Sequence, residues 1–340
     1  RHIFTKYLQI MHKINLSVLV PVYGVEKYIE RFARSLFNQS MTNNVEFVFI
    51  DDCSVDNSIP NLEKVINEYP QLKQQIRIER LPKNMGLLGA RLAGLKMAKG
   101  EYIICNDSDD WVEPTMLEDM YKTAKSGNFD IVISDFFFNV GNDQKVSIQN
   151  PDTSDGKICM YNTLLGKVHG SWCNKLFKRE LITDSNFIEP ALGMNMMEDI
   201  MVTAQLMFHA KKIGYINKGY YHYCRNSSSV SEALSEKSLK SIIYAYNLIE
   251  RFYKEKNITE DRAIDALQKY RISTLSEIAL KGNNYKLINF SDYKYLKPHI
   301  LKHPYLGISY RLALWFKVNK LNFLLEMLIF ARKTLRKKGA

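Results

Sequence analysis

The chain has 340 residues, 46% of them hydrophobic, a net charge of +11 and five scattered cysteines. That length allows a large core and a second, smaller unit, and the composition excludes disordered, collagen-like and repeat architectures. The cysteines (Cys53, Cys105, Cys159, Cys173, Cys224) form no CxxC pair and imply reduced thiols in a cytoplasmic protein; no apolar run approaches the roughly 18–20 residues that span a bilayer, and no secretory signal opens the chain.

Residues 1–13 read as an N-terminal extension, with Met11 a candidate start. Leu16–Val20 is a compact β-branched strand that Pro21 is expected to end, and Lys27–Phe37 has helical apolar spacing. Glu46–Ile50 is a second strand closed by Asp51-Asp52, followed by a helix over Ile59–Tyr69 and a short strand over Ile76–Leu81. A helix over Leu87–Lys99 stops at Gly100, and the strand Tyr102–Cys105 runs into Asp107-Ser108-Asp109-Asp110. Strands alternating with helices imply an α/β fold with a mainly parallel, mixed sheet. Ligands bind such sheets at the carboxyl ends of strands. Here three strand ends carry polar chemistry: Pro21-Val22-Tyr23, Asp51-Asp52 and Asp107–Asp110.

Three aspartates within four positions repel one another, and hard oxygen ligands suit Mg²⁺ or Mn²⁺. A polar turn that caps a helix is the structural alternative. Met197-Glu198-Asp199-Ile200 precedes a helical stretch, where acids also complement the helix dipole. Beyond residue 231 the chain reads as helical, with Ile242, Ala245, Leu248, Ile249 and Phe252 on one face. From Tyr305 onward it holds Arg311, Lys317, Lys320, Arg332, Lys333, Arg336, Lys337 and Lys338 against one acid, Glu326, interleaved with Trp315, Phe316, Phe323 and Phe330. Two readings stand for residues 305–340: a helical region on an anionic membrane surface, or a helical pair packed on the body. No recognisable nucleic-acid module accompanies the charge.

Several segments in order resemble one family. They are Val18-Leu19-Val20-Pro21-Val22-Tyr23, Ile50-Asp51-Asp52-Cys53-Ser54-Val55-Asp56, Asn84-Met85-Gly86-Leu87-Leu88-Gly89-Ala90-Arg91, Asp107-Ser108-Asp109-Asp110-Trp111, Trp172-Cys173-Asn174-Lys175-Leu176-Phe177 and Glu198-Asp199. Together they resemble the family-two inverting glycosyltransferases, across roughly residues 14–230. Cys53 stands where that family usually has glycine, and Leu92 where asparagine is frequent.

The resemblance implies a GT-A fold over residues 14–230, divided into a nucleotide-binding half (about 14–112) and an acceptor half (about 113–230), with a helical region over 231–340. It implies transfer of a sugar from a nucleotide-sugar, a UDP-sugar above all, to a saccharide or lipid-linked acceptor in surface polysaccharide or glycolipid synthesis. Pro21, Val22, Tyr23, Asp52, Arg91, Asp107 and Ser108 would bind the donor. Tyr23 would stack on the base, and Asp52 would accept the uracil imide proton unless it makes an Asx turn with Ser54. Arg91, expected near a helix start, would meet phosphate oxygens or form a surface ion pair. Asp109 would meet Mn²⁺ or Mg²⁺, with Asp107, Asp110 and His222 as further candidates. Asp199 would be the general base. Trp172, Asn174, Lys175 and Glu198 would line the sugar and acceptor pocket, and Arg225 would contact diphosphate. A core Trp with a snorkelling Lys, and a structural His among aromatics, are the competing readings. The enzyme would sit in the cytoplasm or peripherally at the inner membrane face, and a homo-oligomer stays open.

Four rivals stand against this reading. A haloacid-dehalogenase-type phosphatase wants Thr or Val where Trp111 stands, and a nucleotidyltransferase expects a glycine-rich basic loop in place of Tyr23–Tyr28. A catalytically silent nucleotide-sugar binder would keep Asp107 and Asp109 without needing Asp199. A dehydrogenase lacks its GxGxxG after the first strand.

Overall fold

The structure is a computed structural model that describes residues 14–141, 143–183, 188–225, 235–281 and 288–338. The extension assigned to residues 1–13 lies outside them. The chain divides into two compact units. The described residues within Arg1–Cys159, Ser171–Gly193 and Gln205–Ser228 make the first; those within Met160–Gly170, Met194–Ala204 and Ser229–Ala340 make the second.

In chain order the elements are β1 (Leu16–Val22), α1 (Ile29–Phe37), β2 (Val45–Asp51), α2 (Ser58–Glu68), β3 (Ile76–Arg80), α3 (Gly86–Met97) and β4 (Tyr102–Cys105). Next come β5 (Trp111–Val112), α4 (Met116–Gly127), β6 (Ile131–Val140), β7 (Asp143–Ser147), α5 (Gly156–Leu164), β8 (Lys175–Lys178), α6 (Glu180–Thr183), α7 (Glu198–His209) and β9 (Ile213–Cys224). The chain then continues through α8 (Glu236–Glu255), α9 (Asp261–Lys281), α10 (Lys297–Ile300), α11 (Ile308–Val318) and α12 (Asn322–Lys338).

The sheet runs β3-β2-β1-β4-β8-β6-β9-β5, with β7 beside β6. Its first four strands are parallel, whereas β8 pairs antiparallel with both β4 and β6. Every residue of β1 and β2 is buried. That explains their near-continuous apolar runs, since a strand covered on both faces has no polar side to alternate with. Phe37 of α1 meets Phe47, Phe49 and Tyr69 edge-on, which locks the helix to the sheet.

β1 does not stop at Pro21 as expected. Its ladder with β4 ends at Leu19 opposite Cys105, while the ladder with β2 continues to Val22 opposite Asp51. Pro21 therefore lies where one neighbour has already ended, and its missing N–H leaves no gap in the sheet.

The second unit is helical. Ile272 and Leu275 of α9 pack with Leu296, Ile300 of α10, and Leu314 and Val318 of α11. Trp315 lies against this cluster, so its ring belongs to the packing of the helices.

Candidate active site

Because β1, β2 and β4 are parallel neighbours, their carboxyl ends share one edge of the sheet. The Ser108 hydroxyl donates to the Pro21 carbonyl at 2.7 Å, so the loop after β4 is latched to the end of β1. Val22 is a core residue whose carbonyl accepts from Asp52 N (3.0 Å) and Ser54 Oγ (3.3 Å), which makes it scaffold where donor contact was expected. Tyr23, the next residue, is 53% exposed and presents a free-standing ring at that edge.

Asp52 performs neither of its two expected roles alone. Its Oδ1 accepts from Met85 N at 2.6 Å and its Oδ2 from Gly86 N at 2.8 Å, so the carboxylate caps the start of α3 from another strand. Burial raises its pKa while those two amides pull it down. Ser54 N donates instead to Oδ1 of Asp51, three residues back, at 2.7 Å, so no Asx turn forms at Asp52, and Asp51 Oδ2 pairs with Arg80 at 2.9 Å. Between the two acids and Ser54, Cys53 holds a φ of 63°. This is the left-handed conformation for which glycine is the natural residue, so the substitution strains the turn without reshaping it. The Cys53 thiol donates to the Leu81 carbonyl at 3.1 Å.

Arg91 lies in the body of α3, beyond its first turn, and is 2% exposed. Its Nη2 donates to Asp107 Oδ1 at 2.7 Å, and the guanidinium stands 5.4 Å from the centre of the Trp172 ring. This buried cation orients Asp107; it is neither the phosphate clamp at a helix start nor the surface ion pair of the sequence reading.

The four-residue aspartate segment sorts its carboxylates by environment. Asp110 is 1% exposed; its Oδ1 accepts from Cys224 N at 2.7 Å and its Oδ2 from the Tyr221 hydroxyl. Burial, then the charges of Asp109 and Asp107, push its pKa well up. With both oxygens held by β9, Asp110 is removed from the metal candidates and becomes an anchor for the loop. The Tyr221 hydroxyl also accepts from Asp107 N at 3.2 Å, so one ring positions both residues. Tyr221 was not singled out from Tyr220-Tyr221-His222-Tyr223, and since three consecutive residues there are buried, no alternation marks it.

His222 is likewise corrected. Its ring lies between Trp111 (centroids 3.4 Å apart) and Phe137 (4.5 Å), Nε2 is 2.9 Å from Glu113 Oε1, and Nδ1 is 3.2 Å from Gln144 Nε2. Burial lowers its pKa, and both ring nitrogens have protein partners in place of a metal. Asn174 and Lys175 are fully buried in a polar knot. Lys175 Nζ donates to Ser171 O (2.8 Å) and Asn174 Oδ1 (2.9 Å), while Asn174 Nδ2 donates to Ser134 O (2.5 Å). They tie β8 to β6, and present no surface to a sugar. Trp172 is 2% exposed and serves as the platform under Arg91. Arg225 is exposed, with its N–H donated to Asn139 O at 2.9 Å.

Glu198 and Asp199 belong to the second unit, in the first turn of α7. The approach to them is pinned. Asn195 N and Nδ2 donate to Ser241 and Ser238 of α8 at 3.3 and 3.2 Å, and Met197 holds a left-handed φ of 62° just before the helix.

No group of three or more His, Cys, Asp or Glu among the described residues is arranged to hold a metal by itself. A cation that arrives with a diphosphate needs only one or two protein carboxylates, the rest of its shell being phosphate oxygen and water. Asp107 and Asp109 are part-exposed carboxylates two residues apart, as such a site would require, whereas Asp110 is buried.

A sequence profile described as Glycosyl transferase family 2 matches residues 17–184. A putative glycosyltransferase of Bacillus subtilis, EpsH, is 31% identical over 251 residues, which cover 72% of this chain and 71% of that protein. The chain belongs to glycosyl transferase family 2. The cholesterol galactosyltransferase of Borreliella burgdorferi is 32% identical over 258 residues, covering 71% and 69% of the two chains. Staphylococcus aureus TarS 1–349, solved in complex with UDP-GlcNAc, shares the fold at a TM-score of 0.68 and 20% identity, over 94% of this chain and 92% of that one. This family 2 member thus has the expected α/β GT-A architecture with a helical C-terminal region.

Proposed function

We propose that this family 2 glycosyltransferase moves a sugar from a UDP-sugar to a saccharide or lipid-linked acceptor of a bacterial surface polysaccharide or glycolipid, with inversion and with help from Mn²⁺ or Mg²⁺. The observation that carries the reading is the fixed carboxylate of Asp52, one strand away from exposed Tyr23 and two from Asp107 and Asp109. Each Asp52 oxygen takes one backbone amide and keeps a lone pair; uracil offers an imide N–H to it, whereas cytosine offers none at that position. Tyr23 supplies a face for the base, and Asp107, steadied by Arg91, faces the ribose. Asp109, with Asp107 beside it, would hold the divalent cation, whose Lewis acidity offsets charge on the departing diphosphate. Asp199 takes the acceptor hydroxyl proton as that oxygen attacks from the opposite face. The UDP-GlcNAc bound to TarS supports the donor class, and the sterol acceptor named for the Borreliella relative supports a lipid-linked one.

The test is a screen of nucleotide-sugars by release of nucleoside diphosphate with Mn²⁺ present, alongside Asp109→Ala. UDP-sugars should be turned over, and the variant should lose about 10²–10³-fold in rate and its Mn²⁺-dependent UDP binding. Preference for a CDP-sugar, whose base has no N–H to offer at that position, would remove Asp52 as the base reader, and full activity in EDTA would remove the metal.

A further inference from the structure

The last helix presents an apolar stripe that the described chain leaves bare. Among the described side chains of α12, Leu325 alone is buried, with Leu328 and Ile329 partly packed beside it. On the other side Phe323, Met327 and Phe330 are 72%, 55% and 73% exposed. Spacings of four and three residues put these three on one stripe, and Leu324, 40% exposed, adjoins it. Folded proteins rarely leave two phenylalanines and a methionine in a row to water without a partner.

Charge selects the partner. From Tyr305 to Ala340 the sequence holds eight Lys or Arg and one acid, Glu326. Arg332 is used internally: its guanidinium stands 4.7 Å from the Tyr310 ring centre and reaches Ser309 Oγ at 3.3 Å. Arg311 donates to the Leu301 carbonyl at 2.7 Å, and Lys317 stands 6.0 Å from the Phe290 ring centre. The other basic residues of the segment have an anionic surface as their natural complement, while a second copy of the chain would bring two strongly basic segments together. No helix among the described residues is long and apolar enough to cross a membrane, so contact is along a surface.

We propose that α12 lies on an anionic phospholipid surface, with Phe323, Met327 and Phe330 entering the boundary between headgroups and acyl chains and the basic segment drawn to the lipid phosphates. Trp315 remains in its helical core. The inference concerns α12 alone and stands whichever sugar nucleotide the enzyme uses.

Co-sedimentation of the full chain with vesicles tests it. Binding to phosphatidylcholine mixed with phosphatidylglycerol is expected, with little to phosphatidylcholine alone, and it should weaken as salt rises. Phe323→Ser/Phe330→Ser should weaken binding by about tenfold or more, with an unchanged melting temperature because both rings are already exposed. Replacing Lys333, Arg336, Lys337 and Lys338 with Gln should lower affinity for the mixed vesicles by about a hundredfold or more. The proposal fails if the serine variant binds as the wild type does, or if neutral vesicles bind equally well. It also fails if the chain ignores vesicles and forms a dimer that the serine variant dissociates.

Discussion

The strand-end cluster of the first unit and the terminal helix of the second break the rule of apolar inside, polar outside in opposite senses. Asp52, Arg91, Ser108 and Asp110 are polar and nearly inaccessible, and each has found a partner. Phe323 and Phe330 are apolar and bare. Buried polar groups and exposed apolar patches are the informative exceptions on a protein surface. The first kind signals a site preorganised at a cost in desolvation; the second signals a surface completed only by something else. A reaction needs the first, because reacting groups must already be oriented, and a docking surface needs the second.

The largest effect is expected at Asp199, the general base of the proposed reaction. Asp199→Asn preserves shape and removes the basic oxygen, so transfer should fall by about 10²–10⁴-fold with UDP affinity retained. Isothermal titration with UDP separates the outcomes: equal loss of binding would make Asp199 a donor contact, and wild-type rates would leave the first unit chemically self-sufficient.

Next is the buried pair under the strand-end cluster. Arg91→Met leaves the Asp107 carboxylate, 26% exposed, without its cation. Removing one member of a buried pair costs about 3–5 kcal/mol, and the partial exposure of Asp107 reduces that to about 2–3 kcal/mol. Denaturant unfolding reads the stability, and the donor KM should rise. A midpoint within error of the wild type would show that the pair is dispensable.

The smallest effect separates the second unit by pH. His303 is 1% exposed; its Nδ1 accepts from Leu306 N at 3.1 Å, and Nε2 lies 3.1 Å from Ser273 Oγ and 3.2 Å from Lys269 O. Burial, helped by the charges of Lys269 and Arg311, outweighs the Lys269 carbonyl and the Asp265 charge and holds its pKa down to about 4 from 6.5. Between those values the unfolded chain binds a proton that the folded chain refuses, so stability falls as pH drops through that window, by about 3 kcal/mol in full and about 2 kcal/mol between pH 7 and pH 5. Thermal melts at pH 7 and pH 5 should show the loss, and His303→Gln should shrink it. An identical pH dependence in the variant would rule His303 out as its source.

Periodicity and order of motifs carried most of the first unit. The seven elements from β1 to β4 were legible because apolar runs and helical spacing alternate there, with turn residues between them. Family 2 membership was legible because five or six short segments recur in order, and their positions at strand ends follow from parallel strands alone. What a linear reading cannot supply is which oxygen meets which amide. Asp51 and Asp52 are neighbours with the same chemistry, yet one turns to Ser54 and Arg80 and the other to Met85 and Gly86, because adjacent residues of a strand face opposite sides. Asp110 looked like a metal ligand until β9 placed Tyr221 and the Cys224 amide against it. His222 looked like one until Trp111 and Phe137 closed over its ring. The sequence by itself determined the elements from β1 to β4, the family and the set of carboxylates, since these depend on local pattern and order. Tertiary structure alone decided which of those groups are struts and which remain open to a ligand, since that depends on partners more than a hundred residues away, such as Tyr221 for Asp110.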